Sequence, residues 1–296
     1  MKDKKDKIVI VGGDLRQIHL ANLYSKTAQV WVYGFEKNSQ EFENTVQLIS
    51  GTEERKTVLS DADFLILPMP VMENDTYINA PFSDQKLEID VILKEVGTNC
   101  IVYAGKITSD LQKRLESFKL RFYDYLEREE LAIWNAVPTA EGTLQIVLEE
   151  LPVTIYGLSV LLVGSGRISR VLWKYLKTLG ADVSVSARKH KDLSWIQLDG
   201  CHAIHTKELK TQIHNYDLII NTVPAKILDK TILEQVKPNA LLIDLASKPG
   251  GVDFEVAKQL GLKTIWALSL PGKVAPLSAG EIIYNTISNM IEEWRE

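Results

Sequence analysis

The stretch Gly164-Ser165-Gly166-Arg167-Ile168-Ser169 has the residue types and spacing to hold a pyrophosphate. An apolar, β-prone run from Val160 to Val163 leads into it, and an amphipathic pattern with Leu172, Leu176 and Leu179 follows, ending at Gly180. Strand, glycine turn and helix in that order give a dinucleotide fingerprint its meaning. Gly164 permits a tight turn, and Gly166, lacking a Cβ, lets the backbone approach phosphate oxygens. The first N–H groups of the helix, aided by the positive end of its dipole, then face the anion. Ser169 stands where a third glycine usually stands and is small enough for close helix–strand packing. A glycine-rich turn without a ligand is the alternative.

The end of the next strand selects the cofactor. Enzymes that use NAD place Asp or Glu there, about 20 residues after the glycines, to hold the ribose hydroxyls. Here Val183–Ala187 runs into Arg188-Lys189-His190-Lys191, and Asp182 falls at the strand's beginning. Ser186, Arg188 and Lys189 suit a 2′-phosphate, to which an arginine offers paired, charge-assisted hydrogen bonds. The sequence thus predicts NADP, with a solvated basic loop as the alternative. Two later strand ends are expected to line the same crevice, because ligands of such sheets sit outside the carboxyl ends of the strands. They are Asn221-Thr222-Val223-Pro224 and Asp244-Leu245-Ala246-Ser247-Lys248-Pro249-Gly250-Gly251. Thr222, Val223, Pro224 and Ala246 are assigned to the ribose and nicotinamide, and Gly164, Ser165, Gly166, Arg167 and Ile168 to the phosphates.

These residues need a sheet to position them. Strand patterns recur at Ile8–Val11, Val30–Tyr33, Phe64–Leu67, Ile101–Ala104 and Arg121–Tyr123, separated by stretches long enough for crossover helices. Six more follow at Val160–Val163, Val183–Ala187, His202–His205, Leu218–Asn221, Leu241–Leu245 and Thr264–Leu268. Such alternation predicts α/β architecture with parallel sheets covered on both faces. The fold class expected is two Rossmann-like, doubly wound domains, the first flavodoxin-like and the second a dinucleotide-binding fold. A helix from Ser278, with Ile282, Ile283, Ile287, Met290, Ile291 and Trp294 on one stripe, is expected to return to the first domain. A share in a subunit interface is its alternative. The boundaries are then 1–150 plus 276–296 for the first, substrate-binding domain and 151–275 for the NADP domain.

The acid–base group is less evident. The five histidines end at His214, so the late histidine of D-2-hydroxyacid dehydrogenases has no counterpart. Glu141 and Lys248, near expected strand ends, are the candidates for moving a proton. Thr139 reads as the N-cap of a helix ending near Leu151-Pro152. Gly12-Gly13-Asp14, with Arg16 behind it, is read as a turn where an anion meets a helix N-terminus, or as an ordinary βα turn. Pro68-Met69-Pro70 opens a polar stretch to about Asp84, read as a functional lid or as a surface excursion. No His, Cys or Asp spacing suggests a metal.

Five segments in register carry a resemblance. They are Gly12-Gly13-Asp14-Leu15-Arg16-Gln17, Val137-Pro138-Thr139-Ala140-Glu141-Gly142, Asn221-Thr222-Val223-Pro224, Asp244 to Gly251 and Leu270-Pro271-Gly272-Lys273-Val274-Ala275-Pro276. Together they resemble the dipicolinate synthase A-subunit family of spore-forming bacteria. The resemblance implies NADP-linked oxidation of a dihydrodipicolinate-type ring to pyridine-2,6-dicarboxylate in the mother-cell cytoplasm during sporulation. It also implies a B subunit resembling flavoproteins. The two ring carboxylates call for cations or exposed N–H groups, and Arg16, Lys106, Arg128 and Lys248, with Thr139, are the residues expected to meet them. Two readings stay open beside it: a nicotinamide-binding partner subunit without its own chemistry, and another NADP-linked dehydrogenase of the D-2-hydroxyacid or alanine dehydrogenase type.

Composition bounds the rest. A net charge of −5 lacks the basic excess of a nucleic-acid binder, and 45% hydrophobic with 25% charged residues is the balance of a globular chain. The apolar runs are too short to span a bilayer, and the tail MKDKKDK leads into a strand rather than an apolar leader, so a cytoplasmic protein is expected. Cys100 and Cys201 lie beside strand patterns and read as buried packing residues.

Overall fold

The computed structural model describes residues 5–296; the first four residues of the charged tail lie outside the described residues. The chain divides into two compact units, 1–135 with 275–296, and 136–274. The division falls before the helix that the sequence reading gives to the first domain, so that helix belongs to the second unit.

The first unit holds β1 (Lys7–Val11), β2 (Gln29–Tyr33), β3 (Val46–Leu48), β4 (Phe64–Ile66), β5 (Ile101–Ala104) and β6 (Arg121–Asp124). Its helices are α1 (Leu15–Tyr24), α2 (Thr52–Ser60), α3 (Ile89–Glu95), α4 (Ser109–Ser117) and α5 (Glu129–Trp134). All strands are parallel, in the order β3-β2-β1-β4-β5-β6. The five strands expected from the sequence take the flavodoxin-like order 2-1-3-4-5, and β3 adds an edge. Alternate residues of each strand serve opposite cores, as a parallel sheet covered on both faces requires. Ile8, Ile10, Val30, Val32, Phe64 and Ile66 face one core; Val9, Val11, Leu65, Leu67, Val102 and Ala104 face the other.

The second unit holds α6 (Ala136–Glu150), α7 (Arg167–Thr178), α8 (His190–Leu198), α9 (Leu209–Gln212), α10 (Lys230–Leu233), α11 (Phe254–Gln259) and α12 (Leu270–Val274). Its strands are β7 (Ser159–Val163), β8 (Asp182–Ala187), β9 (His202–His205), β10 (Leu218–Asn221), β11 (Leu241–Asp244) and β12 (Lys263–Trp266). The parallel order β12-β11-β10-β7-β8-β9 reverses direction between β7 and β10. A crevice opens at such a switch point, outside the carboxyl ends of the two strands.

Finally α13 (Pro276–Arg295) joins the first unit. Ile283, Ile287, Met290 and Ile291 are buried in the core that α1 also covers, and the Tyr284 ring meets Tyr24 edge-on at 4.6 Å. Trp294 ends the stripe half in solvent, its ring edge-on to Phe64 at 6.4 Å and beneath the Arg121 guanidinium. Gly280 lets α13 lie close against α1, since a Cβ there would lie 2.6 Å from the carbonyl oxygen of Arg16. Among the described residues no helix is long and apolar enough to cross a membrane.

Candidate functional site

The turn after β7 has the conformation a phosphate cradle needs. Gly164 lies at φ +104°, and its amide donates to the Ser186 carbonyl at 2.9 Å. Any Cβ there would lie 2.6 Å from Oγ1 of Thr222, so only glycine lets the turn pass this close to the end of β10. Gly166 is the N-cap of α7, and no side chain caps that helix. Ser169 occupies the third fingerprint position fully buried, its hydroxyl 2.9 Å from that of Thr222. Thr222 Oγ1 in turn donates to the Val163 carbonyl at 3.1 Å, tying β7 to β10 at the switch point. The uncapped N–H groups of a twelve-residue helix, behind a turn that excludes side chains, fit a dinucleotide pyrophosphate. Arg167 and Ile168 begin the helix, with Arg167 exposed and Ile168 partly buried.

The first unit makes the instructive contrast. Its own turn, Gly12-Gly13-Asp14, carries no open anion site. The Asp14 carboxylate accepts from Arg16 N, Gln17 Oε1 accepts from Asp14 N, and Gly13 N donates to the Asn79 carbonyl. The polar stretch after Pro70, read as a lid or a surface excursion, packs against this turn, with Val71 and Ile78 buried. The chain's own Asp14 carboxylate, Gln17 amide oxygen and Asn79 carbonyl already occupy those donors, as in an ordinary βα turn.

At the end of β8, Arg188 and Lys189 are exposed, and β8 carries no carboxylate at this end. Asp182, at its other end, lies 3.2 Å from His202 Nε2. Ser186 differs from its assignment. It is 1% exposed, with its hydroxyl 3.2 Å from that of Thr206, so it supports the strand end rather than facing a ligand.

The ends of β10 and β11 are joined by two residues that the sequence reading named within their segments but gave no role. Asn221 and Asp244 are both fully buried. The Asp244 carboxylate accepts from Asn221 Nδ2 at 2.7 Å, from Ala246 N at 3.0 Å, and from Gly251 N and Val252 N at 2.7 and 3.2 Å. Asn221 also bonds both ways with the Val223 backbone. One carboxylate therefore shapes the loop carrying Ala246 and the exposed Lys248, while Trp266 Nε1 holds the Ala246 carbonyl at 2.9 Å. The signal was available: Asn and Asp at matched ends of apolar runs, the latter ahead of Gly250-Gly251. Thr222 and Val223 are partly buried beside this pair and Pro224 is exposed.

The acid–base and substrate candidates fare unevenly. Thr139 is no N-cap: α6 begins at Ala136, and the Thr139 carbonyl accepts from Thr143 Oγ1 inside it. Pro138 falls in the first turn, where a missing N–H costs nothing, so the helix begins ahead of the expected cap. Glu141 is exposed on that helix, one residue before Gly142, which is buried against Leu270 and Val274 of α12. Arg16 is buried and pairs with Asp14 through Nε and Nη2, the latter also donating to the Met69 carbonyl. Arg128 is held by Glu130 and by Glu293 of α13, which keep its pKa raised. Both arginines thus hold the first unit together. Lys106 is exposed, at φ +68°, with its amide on the Asp124 carboxylate.

Comparison with known proteins agrees with this division of labour. Residues 7–126 match the N-terminal domain of the dipicolinate synthase A-subunit, and residues 139–253 match the NAD binding domain of D-isomer specific 2-hydroxyacid dehydrogenases. The dipicolinate synthase A-subunit of Bacillus subtilis (strain 168) is 32% identical over 293 residues, covering 97% of this chain and 96% of that protein. The chain belongs to the dipicolinate synthase A-subunit family. Crystal structures of family members superpose over nearly the whole chain. That from Bacillus halodurans has a TM-score of 0.89 at 28% identity, covering 96% of this chain and 97% of its own. That from Bacillus subtilis has a TM-score of 0.89 at 31% identity, covering 98% and 96%. In this family member the second unit is a nicotinamide dinucleotide-binding domain of the dehydrogenase type, and the cradle after β7 is where its glycines, buried Ser169 and uncapped helix converge.

Proposed function

We propose that this chain oxidises a dihydrodipicolinate-type ring to pyridine-2,6-dicarboxylate with NADP as hydride acceptor. Membership of the dipicolinate synthase A-subunit family along the full chain carries the reaction. Arg188 and Lys189, with no carboxylate at their end of β8, support NADP over NAD. A bound nicotinamide supplies the place to which a hydride leaves. The chain's own task is then to hold the ring, exclude water and accept one proton as the product becomes aromatic. Glu141 is the proposed proton acceptor and Lys248 its alternate. Exposed Lys106 and Lys248 are the proposed carboxylate anchors, with Thr139 also in the substrate set. Arg16 and Arg128 enter it only by yielding their present ion pairs. The family further suggests a flavoprotein-like B subunit as partner, and the cytoplasm of a sporulating mother cell as the setting.

The test is spectrophotometric. The chain alone, given the cyclic precursor, should reduce NADP, with absorbance of the pyridine dicarboxylate rising in step. If reduction requires the B subunit, this chain is the nicotinamide-binding partner; if 2-hydroxy acids or alanine are oxidised instead, the substrate assignment is wrong. Cofactor choice is read separately: Arg188→Ala should weaken NADPH binding by about 1–3 kcal/mol and leave NADH binding nearly unchanged.

A further inference from the structure

A phosphomonoester dianion is held by several donors at once, yet the hydroxyl that the sequence offers at the end of β8 is sealed, since Ser186 is 1% exposed. The neighbouring strand supplies what Ser186 cannot. β9 runs parallel to β8 with Ala187 opposite His205, so Arg188–Lys191 and His205–Lys207 leave the sheet along one edge.

Three features build that edge into a donor set. The Ser186 hydroxyl lies 3.2 Å from Oγ1 of Thr206, which is only half-buried, so the pair carries a hydroxyl outward from the core. Nδ1 of His205 accepts the Lys207 amide at 3.2 Å. A ring nitrogen that accepts an N–H bears no proton of its own, so the proton of the neutral ring is on Nε2, a donor. The His190 ring, at the start of α8, lies 6.1 Å from that of His205, so the segments that leave β8 and β9 stay close beyond the sheet. Neither strand carries a carboxylate at this end, and β9 carries none at all.

We infer that His205 and Thr206 complete the recognition site for the ribose 2′-phosphate, donating through Nε2 and the hydroxyl to oxygens that Arg188 and Lys189 attract. This rests on the proposed use of NADP and names two selectivity residues on a second strand.

The experiment is a set of titrations of the full chain with NADPH, NADH, 2′,5′-ADP and 5′-AMP. His205→Ala should weaken NADPH and 2′,5′-ADP about tenfold and change NADH and 5′-AMP less than about twofold. His205→Gln, whose amide keeps a donor near Nε2, should recover most of the loss. Thr206→Val should cost about threefold with the same selectivity. If His205→Ala proves unfolded in a thermal melt, the Gln and Val variants carry the test. Equal losses for phosphorylated and unphosphorylated ligands, or no loss, overturn the inference. A selective NADPH loss in Arg188→Ala would in that case leave the cofactor reading standing. A wild-type chain that binds NADH as tightly as NADPH overturns both.

Discussion

Asn221 and Asp244 lie side by side at the ends of two parallel strands, joined by an Nδ2–Oδ1 hydrogen bond of 2.7 Å with neither side chain exposed. Among the described residues its hydrogen-bond partners are Asn221 and three backbone amides, none of them a cation. The loop between Ala246 and Gly251 owes its shape to this arrangement.

Removing that carboxylate strands several buried donors at once. Asp244→Ala should destabilise the chain by about 3–5 kcal/mol, since each unmet buried group costs about 1–3 kcal/mol. Asp244→Asn keeps the shape but turns an amide donor toward backbone donors, and about 2–3 kcal/mol is expected. Urea titration checks both, and a loss below about 1 kcal/mol for the Ala variant would show that the loop is held by other means.

Glu141→Gln tests the proton acceptor. The exposed position predicts unchanged melting and unchanged NADPH affinity, with turnover lower by roughly 10²–10⁴-fold, the usual worth of a positioned base. Near-normal turnover would transfer the role to Lys248.

An alkaline limb of stability follows from the first unit. Burial, with Asp63 nearby, pushes the Cys100 thiol up to about 12. In an open chain a thiol titrates near about 8.5. The unfolded chain therefore loses its proton first, and the folded state, which keeps it, loses stability as pH rises from about 8.5 toward 12. The slope from this group approaches about 1.4 kcal/mol per pH unit. Tyr103, pushed up to about 12 by burial beside Tyr123, adds to the decline above about pH 10. Cys100→Ala should start less stable at neutral pH yet fall less between about pH 8.5 and 10; parallel urea midpoints for the two proteins would exclude the thiol.

The last prediction concerns the α1–α13 contact. A methyl group at Gly280 would press on the Arg16 carbonyl oxygen at 2.6 Å and on the His19 Cβ at 3.2 Å. Gly280→Ala should cost about 1–3 kcal/mol through overpacking. Ending the chain before Pro276 uncovers the core around Ile283 and Ile287, and aggregation in light scattering is expected. A monomeric, equally stable truncated chain would contradict the packing.

How much the sequence disclosed depended on where the energy of each element resides. β10 and β11 are buried on both faces, so their apolar runs announced them. β3 has two exposed residues in three and is held by pairing with β2, so its side chains carry no pattern. Thr139 suggested a helix start at a position that lies inside the helix: Pro138 falls in the first turn, and Gly142 is a packing site against α12. Around the site, the glycine cradle was legible because every contact in it is local or set by strand order. The commitment of Arg128 was not, because its partner Glu293 is 165 residues away in the chain. Ser186 was read by type at a strand end, whereas its orientation follows from the neighbouring strand.

The chain passes from one unit to the other at residue 135 and back at 275. During translation the whole dinucleotide-binding unit therefore emerges, and can close its own sheet, while the first unit still lacks its last helix. The α1 face that Ile283, Ile287, Met290 and Ile291 will cover stays bare until α13 leaves the ribosome. The cofactor domain is thus complete in the chain before the first domain is, and a chain broken off within α13 would carry a closed cofactor domain beside an open, adhesive first domain.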